Sequence, residues 1–463
     1  MPRWPDVQKL ARLTDHQRSV VASVFASRVG VLTGGPGTGK TFTAAAAIRA
    51  IAEEHGLDSV TVTAPTGKAA VRCTSMLQQN GIGLEAKTIH RLLGVGRNGH
   101  DGKGWGFQHD SLNPLPYQFV VVDESSMIDT SLAAALFDAL LPSTHVLLIG
   151  DPFQLPPVGH GAPLRDLIAS KIPCGELTEI KRNAGDIVFG CRAIKEGKRF
   201  EPRTALDLAG GHNWKHIESP TPATSLRHLQ ALLQSPPPGI DPVWDIQVLV
   251  AVNEKSETSR KAVNELMQGW LNPNGKRLDK GSAFRVGDKI ICTSNTWLPL
   301  VEDDDEPRST HSAIATRQSA FPTESEFKEF IANGDLGKVL AIEPKRMLVE
   351  FQSPTRLCIV PLVGGGDDAP SQGTKFDLGY ALTCHKAQGS QAPIVIALID
   401  EAGGANFVTS MEWWRTAISR AEKIAITIGQ WSTFQRQCKR VSLRDRKTFL
   451  REQLEVIGCG LSD

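Results

Sequence analysis

Short apolar runs recur through the first third of the chain, at 29–33, 60–63, 119–122 and 146–149, and each ends in small or acidic residues. Runs this short, bounded by small or acidic residues, predict buried parallel strands. Between them, 41–54 and 131–141 are rich in Ala and Ile or Leu, as helical crossovers are. The pattern is that of a βα-repeating unit. Ligands of such sheets gather outside the carboxyl ends of the strands, where the Gly, Thr, Asp and Glu residues that follow these runs fall.

The strand pattern lapses over 201–243, which includes Pro236-Pro237-Pro238, and resumes at 245–252, 393–399 and 424–428, predicting a second α/β unit. Inside that unit, 284–293, 337–342 and 346–351 read as short β segments joined by polar loops, an inserted β domain. The expected division is 1–175 for the first unit, 176–283 with 376–463 for the second, and 284–375 for the insert. Glu302-Asp303-Asp304-Asp305-Glu306 reads as a solvated loop, because adjacent like charges resist packing, and Gly364-Gly365-Gly366-Asp367-Asp368 as a flexible connection.

Length agrees with this division, since 463 residues at about 150 per domain give about three units. With 41% hydrophobic and 22% charged residues, a largely disordered chain is excluded. Lys and Arg number 51 against 50 Asp and Glu, so bulk charge supplies no steering toward a polyanion, and any grip on one must be local. No apolar run reaches the roughly 18 residues that span a bilayer, and Met1-Pro2-Arg3-Trp4-Pro5 lacks a secretion signal's apolar stretch. No membrane association and a cytoplasmic location are expected. The eight cysteines include no Cys-x-x-Cys pair and signal neither a zinc site nor a disulfide framework.

Chemistry enters with Gly34-Gly35-Pro36-Gly37-Thr38-Gly39-Lys40-Thr41, a G-x-x-x-x-G-K-[ST] loop between an apolar run and a helical one. Glycines let successive backbone N–H groups turn inward around phosphate oxygens, and the helix N-terminus adds partial positive charge. Gly35, Gly37, Thr38 and Gly39 are thus the expected cradle of ATP, Lys40 neutralises its terminal phosphates, and Thr41 offers a hydroxyl to Mg²⁺. Phe119-Val120-Val121-Val122-Asp123-Glu124 ends a buried strand in two carboxylates. Asp123 is expected to hold the metal through its water shell, and Glu124 to orient and deprotonate the attacking water. A solvated turn is the bland alternative for such a pair, and the phosphate loop weighs against it.

A third polar segment follows the next strand: Gly150-Asp151-Pro152-Phe153-Gln154-Leu155-Pro156-Pro157-Val158. Together with Ala64-Pro65-Thr66-Gly67-Lys68-Ala69-Ala70, Thr88-Ile89-His90-Arg91-Leu92-Leu93-Gly94 and Asp123-Glu124-Ser125-Ser126-Met127, it resembles the superfamily 1 helicases of the RecD/Dda-like branch. The likeness continues through Leu177-Thr178-Glu179-Ile180-Lys181-Arg182, Thr383-Cys384-His385-Lys386-Ala387-Gln388-Gly389-Ser390 and Trp414-Arg415-Thr416-Ala417-Ile418-Ser419-Arg420, in the family's order from about Leu13 to Lys423.

That resemblance implies an α/β fold of two RecA-like P-loop NTPase domains, parallel sheets with flanking helices, plus a small inserted Src-homology-3-like β-barrel. It implies an ATP- and Mg²⁺-dependent 5′-to-3′ DNA helicase that acts at single-stranded DNA and single-strand/duplex junctions as a monomer, with replication or recombination proteins as possible partners. By the same resemblance Gln17 contacts adenine, Gln154 senses the terminal phosphate, Arg182 and Arg420 are arginine fingers, and Gly389 with Gln388 completes the cleft. Strand contacts fall on Pro65, Thr66 and His90 in the first unit and on Asn253, Thr383 and His385 in the second. The stretch 94–115, with Trp105 and Phe107, lies where the family carries a duplex-separating pin; an ordinary surface loop is the other reading.

Ser419 stands where the family usually has Thr, the strand before Asn253 lacks the usual Pro and Thr, and the long N-terminal extension of some RecD-type proteins is not seen. Two other functions remain open at this stage. One is an ATP-gated single-strand-binding protein without processive unwinding, and the other is an RNA helicase.

Overall fold

The computed structural model describes residues 3–10, 12–96, 106–170, 172–179, 185–278, 283–301, 324–352, 355–362, 372–446, 448 and 450–458. Trp105 and Arg182 lie outside these residues, as do the acidic run and the triple glycine.

The first sheet is wholly parallel, in the order Lys87–Thr88, Val60–Ala64, Phe119–Val122, His145–Gly150, Val29–Gly34, Cys174–Leu177. Its interior strands are the apolar runs of the sequence, and Phe119–Val122 and His145–Gly150 are buried at every position. Helices on both faces close two apolar layers. Ile48, Ile51, Cys73 and Leu77 pack on one, and Leu92, Leu93, Leu136 and Leu164 on the other.

A second parallel sheet runs Ala381–Thr383, Ile246–Val250, Ala392–Leu398, Ala421–Gly429, Trp214–Glu218. Helix Met411–Ile418, every residue of which is buried, lies on one face beside Trp214 and Phe434. Ser410 caps this helix, its Oγ accepting from the Trp413 N–H at 3.3 Å, a cap worth about 1 kcal/mol. An all-buried helix has little freedom to reorient, so the residues it presents to the first unit are fixed in place.

The insert is an antiparallel sheet of seven strands, ordered Glu324–Ile331, Thr296–Val301, Arg356–Pro361, Arg346–Phe351, Leu336–Glu343, Lys289–Cys292, Phe376–Leu378. Among the described residues, the pairing runs from end to end without returning. The closed barrel expected from the sequence is therefore not confirmed by these residues, whose strands pack over a core that includes Ile290, Val349 and Phe351. It sits directly on the first unit: a Cβ built on Gly67 would lie 2.0 Å from Ala332 Cβ, so only glycine lets the two backbones approach this closely. No helix among the described residues is long and apolar enough to cross a membrane, and the seven described cysteines are all free.

Candidate nucleotide cleft and strand interface

The phosphate loop closes on itself through its own residues. Gly37 and Gly39 have φ of 75° and 85°, a left-handed region in which a side chain is strained. Thr38 Oγ1 donates to the Gly35 carbonyl at 2.8 Å, and Lys40 Nζ donates to the carbonyls of Gly34 at 2.6 Å and Gly35 at 3.1 Å. Lys40 therefore waits inside the turn where terminal phosphates would sit. Burial lowers its pKa, and the charges of Asp151, Glu124 and Asp123 oppose that shift. Thr41, exposed, lies in the first turn of the 16-residue helix Lys40–His55, whose N-terminus adds partial positive charge beside the loop.

Gln17 is buried and belongs to a capping box with Thr14: its Oε1 accepts from the Thr14 N–H at 3.1 Å, while Thr14 Oγ1 accepts from the Gln17 N–H at 3.2 Å. Its Nε2 lies 3.0 Å from where a Cβ on Gly39 would be, which puts the amide against the phosphate loop.

Asp123 and Glu124 follow strand Phe119–Val122. Burial first, and the neighbouring Glu124 charge second, raise the pKa of Asp123. Glu124 takes a left-handed conformation, φ 49° and ψ 36°, that a non-glycine residue adopts only under strain. Its Oε1 lies 3.7 Å from Arg72 Nη1 and 4.0 Å from Arg420 Nη1. Arg72 is a site residue the sequence reading did not single out. Among the described residues, no group of three or more His, Cys, Asp or Glu could hold a metal ion. One carboxylate and one hydroxyl suit Mg²⁺, which keeps several waters and takes its remaining oxygens from phosphate.

The segment Asp151-Pro152-Phe153-Gln154-Leu155 is where the two parallel sheets meet. Arg420 Nη2 donates to Gln154 Oε1 at 2.6 Å, and Arg420 Nη1 donates to the Ser390 carbonyl at 3.4 Å. Thr416 Oγ1 accepts from the Leu155 N–H at 2.9 Å, and Gln388 Nε2 donates to the Leu155 carbonyl at 3.3 Å. Arg415 Nη2 reaches Asp151 Oδ2 at 3.3 Å, both side chains fully buried. Of these, Gln154, Arg420 and Gln388 were expected here; Asp151, Arg415 and Thr416 stood inside quoted motifs without a role. Gly389, with φ 76°, turns against Thr66 Oγ1, 3.2 Å from where its Cβ would be.

The residues expected to touch a nucleic acid come from a different part of each sheet. Pro65 and Thr66 follow Val60–Ala64, and His90 follows the neighbouring edge strand Lys87–Thr88. In the second sheet Thr383 ends the edge strand Ala381–Thr383, His385 follows it, and Asn253 follows its neighbour Ile246–Val250. Thr66 caps helix Gly67–Gln79. Thr383 is buried, His385 half-buried with its pKa lowered by burial, and Asn253 exposed, its Oδ1 accepting from Arg260 Nε at 2.9 Å. Beside Thr88 and Arg91 runs a cleft of about 540 Å³ whose other wall is the insert's Phe330, Asp335 and Arg356. Phe330 also forms an edge-to-face pair at 5.3 Å with Trp297, which is 55% exposed. Sequence reading singled out neither aromatic. In the expected pin region, Val95–Gly96 pairs antiparallel with Gly106–Phe107, and the Phe107 ring lies 6.0 Å from that of the exposed His90.

Residues 12–217 match the family described as AAA domain, and residues 378–426 match the UvrD-like helicase C-terminal domain. The RecBCD enzyme subunit RecD of Haemophilus influenzae is 37% identical over 463 aligned positions, covering 89% of this chain and 68% of that protein. The ATP-dependent RecD2 DNA helicase of Deinococcus radiodurans is 32% identical over 435, covering 93% of this chain and 51% of that protein. The chain thus spans about half the length of this RecD2 relative. A solved Pif1 helicase structure, from work on unwinding at forked duplex DNA, aligns over 97% of this chain and 98% of its own with a TM-score of 0.50 at 14% identity, a likeness of fold.

Proposed function

This chain belongs to the RecD-like superfamily 1 helicases, and from that footing we propose that it is an ATP-driven motor that moves 5′ to 3′ along single-stranded DNA and separates duplex at junctions. The observation that carries the reading is the segment Asp151 to Leu155, which leaves the nucleotide end of the first sheet and is held by Arg415, Thr416, Gln388 and Arg420 of the second. Any change in phosphate contacts at Gln154 is thereby transmitted to the spacing of the two sheets.

The residues divide the work. Lys40 and the loop amides bind the phosphates, Glu124 orients and deprotonates the attacking water, and Arg420, with Arg182, stabilises the charge that develops on the transferred phosphoryl group. Thr41 and Asp123 would hold Mg²⁺, which when bound supplies charge neutralisation between the phosphate oxygens. Gly389 sits against Thr66, so the nucleotide cleft and the strand track share a contact. Pro65, Thr66 and His90 on one unit and Asn253, Thr383 and His385 on the other would then grip the strand in alternation as the cleft opens and closes.

The ribbon of Val95–Gly96 and Gly106–Phe107 would carry the separating pin, with Trp105 and Phe107 stacking on the last base pair. The insert, read as Src-homology-3-like, would guide the strand past Trp297 and Phe330. The test is ATP hydrolysis with and without oligodeoxynucleotide, with oligoribonucleotide as competitor. Hydrolysis stimulated by DNA and abolished by Lys40→Ala is expected. Turnover indifferent to DNA, or retained in Lys40→Ala, would refute the reading.

A further inference from the structure

Arg415 is the least explained charged residue in the cleft. It lies at the middle of the all-buried helix Met411–Ile418 and is 3% exposed. A guanidinium has five N–H donors, and removing them from water is costly unless each finds an acceptor. Nε donates to the Cys191 carbonyl at 3.2 Å and Nη2 to Asp151 Oδ2 at 3.3 Å, while Nη1 is buried with no hydrogen-bond partner. The Phe153 ring, its centroid 5.4 Å from Cζ, packs against the group.

The surroundings show what Nη1 is for. Nη2 comes within 3.8 Å of the point where a Cβ on Gly35 would lie, and the Gly35 carbonyl is the one that Lys40 Nζ holds at 3.1 Å. A cavity of about 210 Å³ is lined by Gly35, Pro36 and Thr38 of the phosphate loop together with Arg415. The guanidinium thus stands at the start of the loop, beside the ammonium that receives the terminal phosphates. Asp151 already balances its charge, so what remains is a directional donor held in a fixed fork.

We propose that Arg415 is a further phosphate-contacting residue, whose Nη1 donates to a terminal phosphate oxygen of the bound nucleoside triphosphate while Asp151 holds the guanidinium in place. The inference rests on the reading of this cleft as an ATP site. It gives the Asp151 to Leu155 segment an arginine at each end, Arg420 on Gln154 and Arg415 on Asp151, both delivered by the second sheet.

The experiment is equilibrium binding of a fluorescent non-hydrolysable ATP analogue and of fluorescent ADP to the full chain, in parent, Arg415→Gln and Asp151→Asn. Loss of one charge-assisted hydrogen bond should weaken the triphosphate about tenfold to a hundredfold in Arg415→Gln, with ADP within about twofold of the parent. Asp151→Asn, which removes the carboxylate charge but keeps an amide oxygen able to accept from Nη2 and so to hold the guanidinium, should retain the preference for triphosphate. An equal loss of both nucleotides in Arg415→Gln, unchanged triphosphate binding, or the same selective loss in Asp151→Asn would overturn the proposal. If Arg415→Gln does not fold, Arg415→Lys is read by the same two ligands, with a smaller but still selective loss supporting the proposal and an equal or absent loss overturning it. A parent chain that binds neither nucleotide would refute the ATP reading itself, a failure distinct from that of Arg415.

Discussion

Arg420→Ala is the substitution whose consequences the structure states most fully. The side chain is 4% exposed, donates to Gln154 Oε1 at 2.6 Å and approaches Glu124 Oε1 to 4.0 Å. At an effective dielectric of about 20, that approach is worth about 4 kcal/mol of gross attraction, most of it offset by the cost of burying both groups. Truncation leaves Gln154 and Glu124 without this partner, so a stability loss of about 3 kcal/mol is expected. The effect on chemistry should be larger. A finger arginine contributes about 10³-fold or more to turnover, about 4 kcal/mol of barrier, because it meets charge that exists only in the transition state. Arg420→Lys separates the two effects: it keeps the charge, but a single ammonium cannot span both Gln154 and the Ser390 carbonyl, so about a hundredfold loss should persist with little change in melting temperature. Single-turnover ATP hydrolysis at saturating oligodeoxynucleotide, with thermal melting of each variant, reads both quantities. Hydrolysis by either variant within about tenfold of the parent would refute the assignment of Arg420 to the reacting phosphate.

Glu124→Gln should bind ATP normally and fail to turn over, and a normal single-turnover rate would remove Glu124 as the base. Trp105→Ala with Phe107→Ala should spare hydrolysis and slow duplex separation, and unchanged separation would return 94–115 to the status of a surface loop. Lys289, fully buried in the insert, donates to the Val243 carbonyl at 2.7 Å, and burial lowers its pKa to about 7 from 10.5. Its native form binds fewer protons than the unfolded chain between those values, so stability should rise with pH across that window, and the burden is full below pH about 7. Lys289→Met should therefore stabilise the protein at pH 6 by about 1–3 kcal/mol after the lost hydrogen bond is subtracted, and by less at pH 10, as read by urea unfolding; a gain independent of pH would contradict this.

The buried strands were legible because a parallel sheet covered on both faces leaves an apolar run: 119–122 matches Phe119–Val122, and 29–33 and 146–149 fall one or two residues short of Val29–Gly34 and His145–Gly150. Edge strands such as Lys87–Thr88 and Trp214–Glu218 were not, since half-covered or very short strands need no such run. In the insert, Thr296–Val301 is interrupted by Pro299 and Glu324–Ile331 mixes Glu and Lys with Phe and Ile, and pairing order, which decides between open sheet and closed barrel, is not written in either strand alone. The cleft was legible through motifs whose chemistry is local, the phosphate loop and the strand-end carboxylates. The Arg415–Asp151 pair was not, because its partners are 264 residues apart and each looks like a surface charge until the fold buries both.

The central claim is that nucleotide turnover between the two parallel sheets drives the protein along one DNA strand. The most direct measurement is strand displacement from otherwise identical duplexes bearing a 5′ or a 3′ single-stranded tail, with and without ATP. ATP-dependent displacement from the 5′-tailed duplex alone is predicted. Binding without displacement, or displacement only from the 3′-tailed duplex, would contradict it.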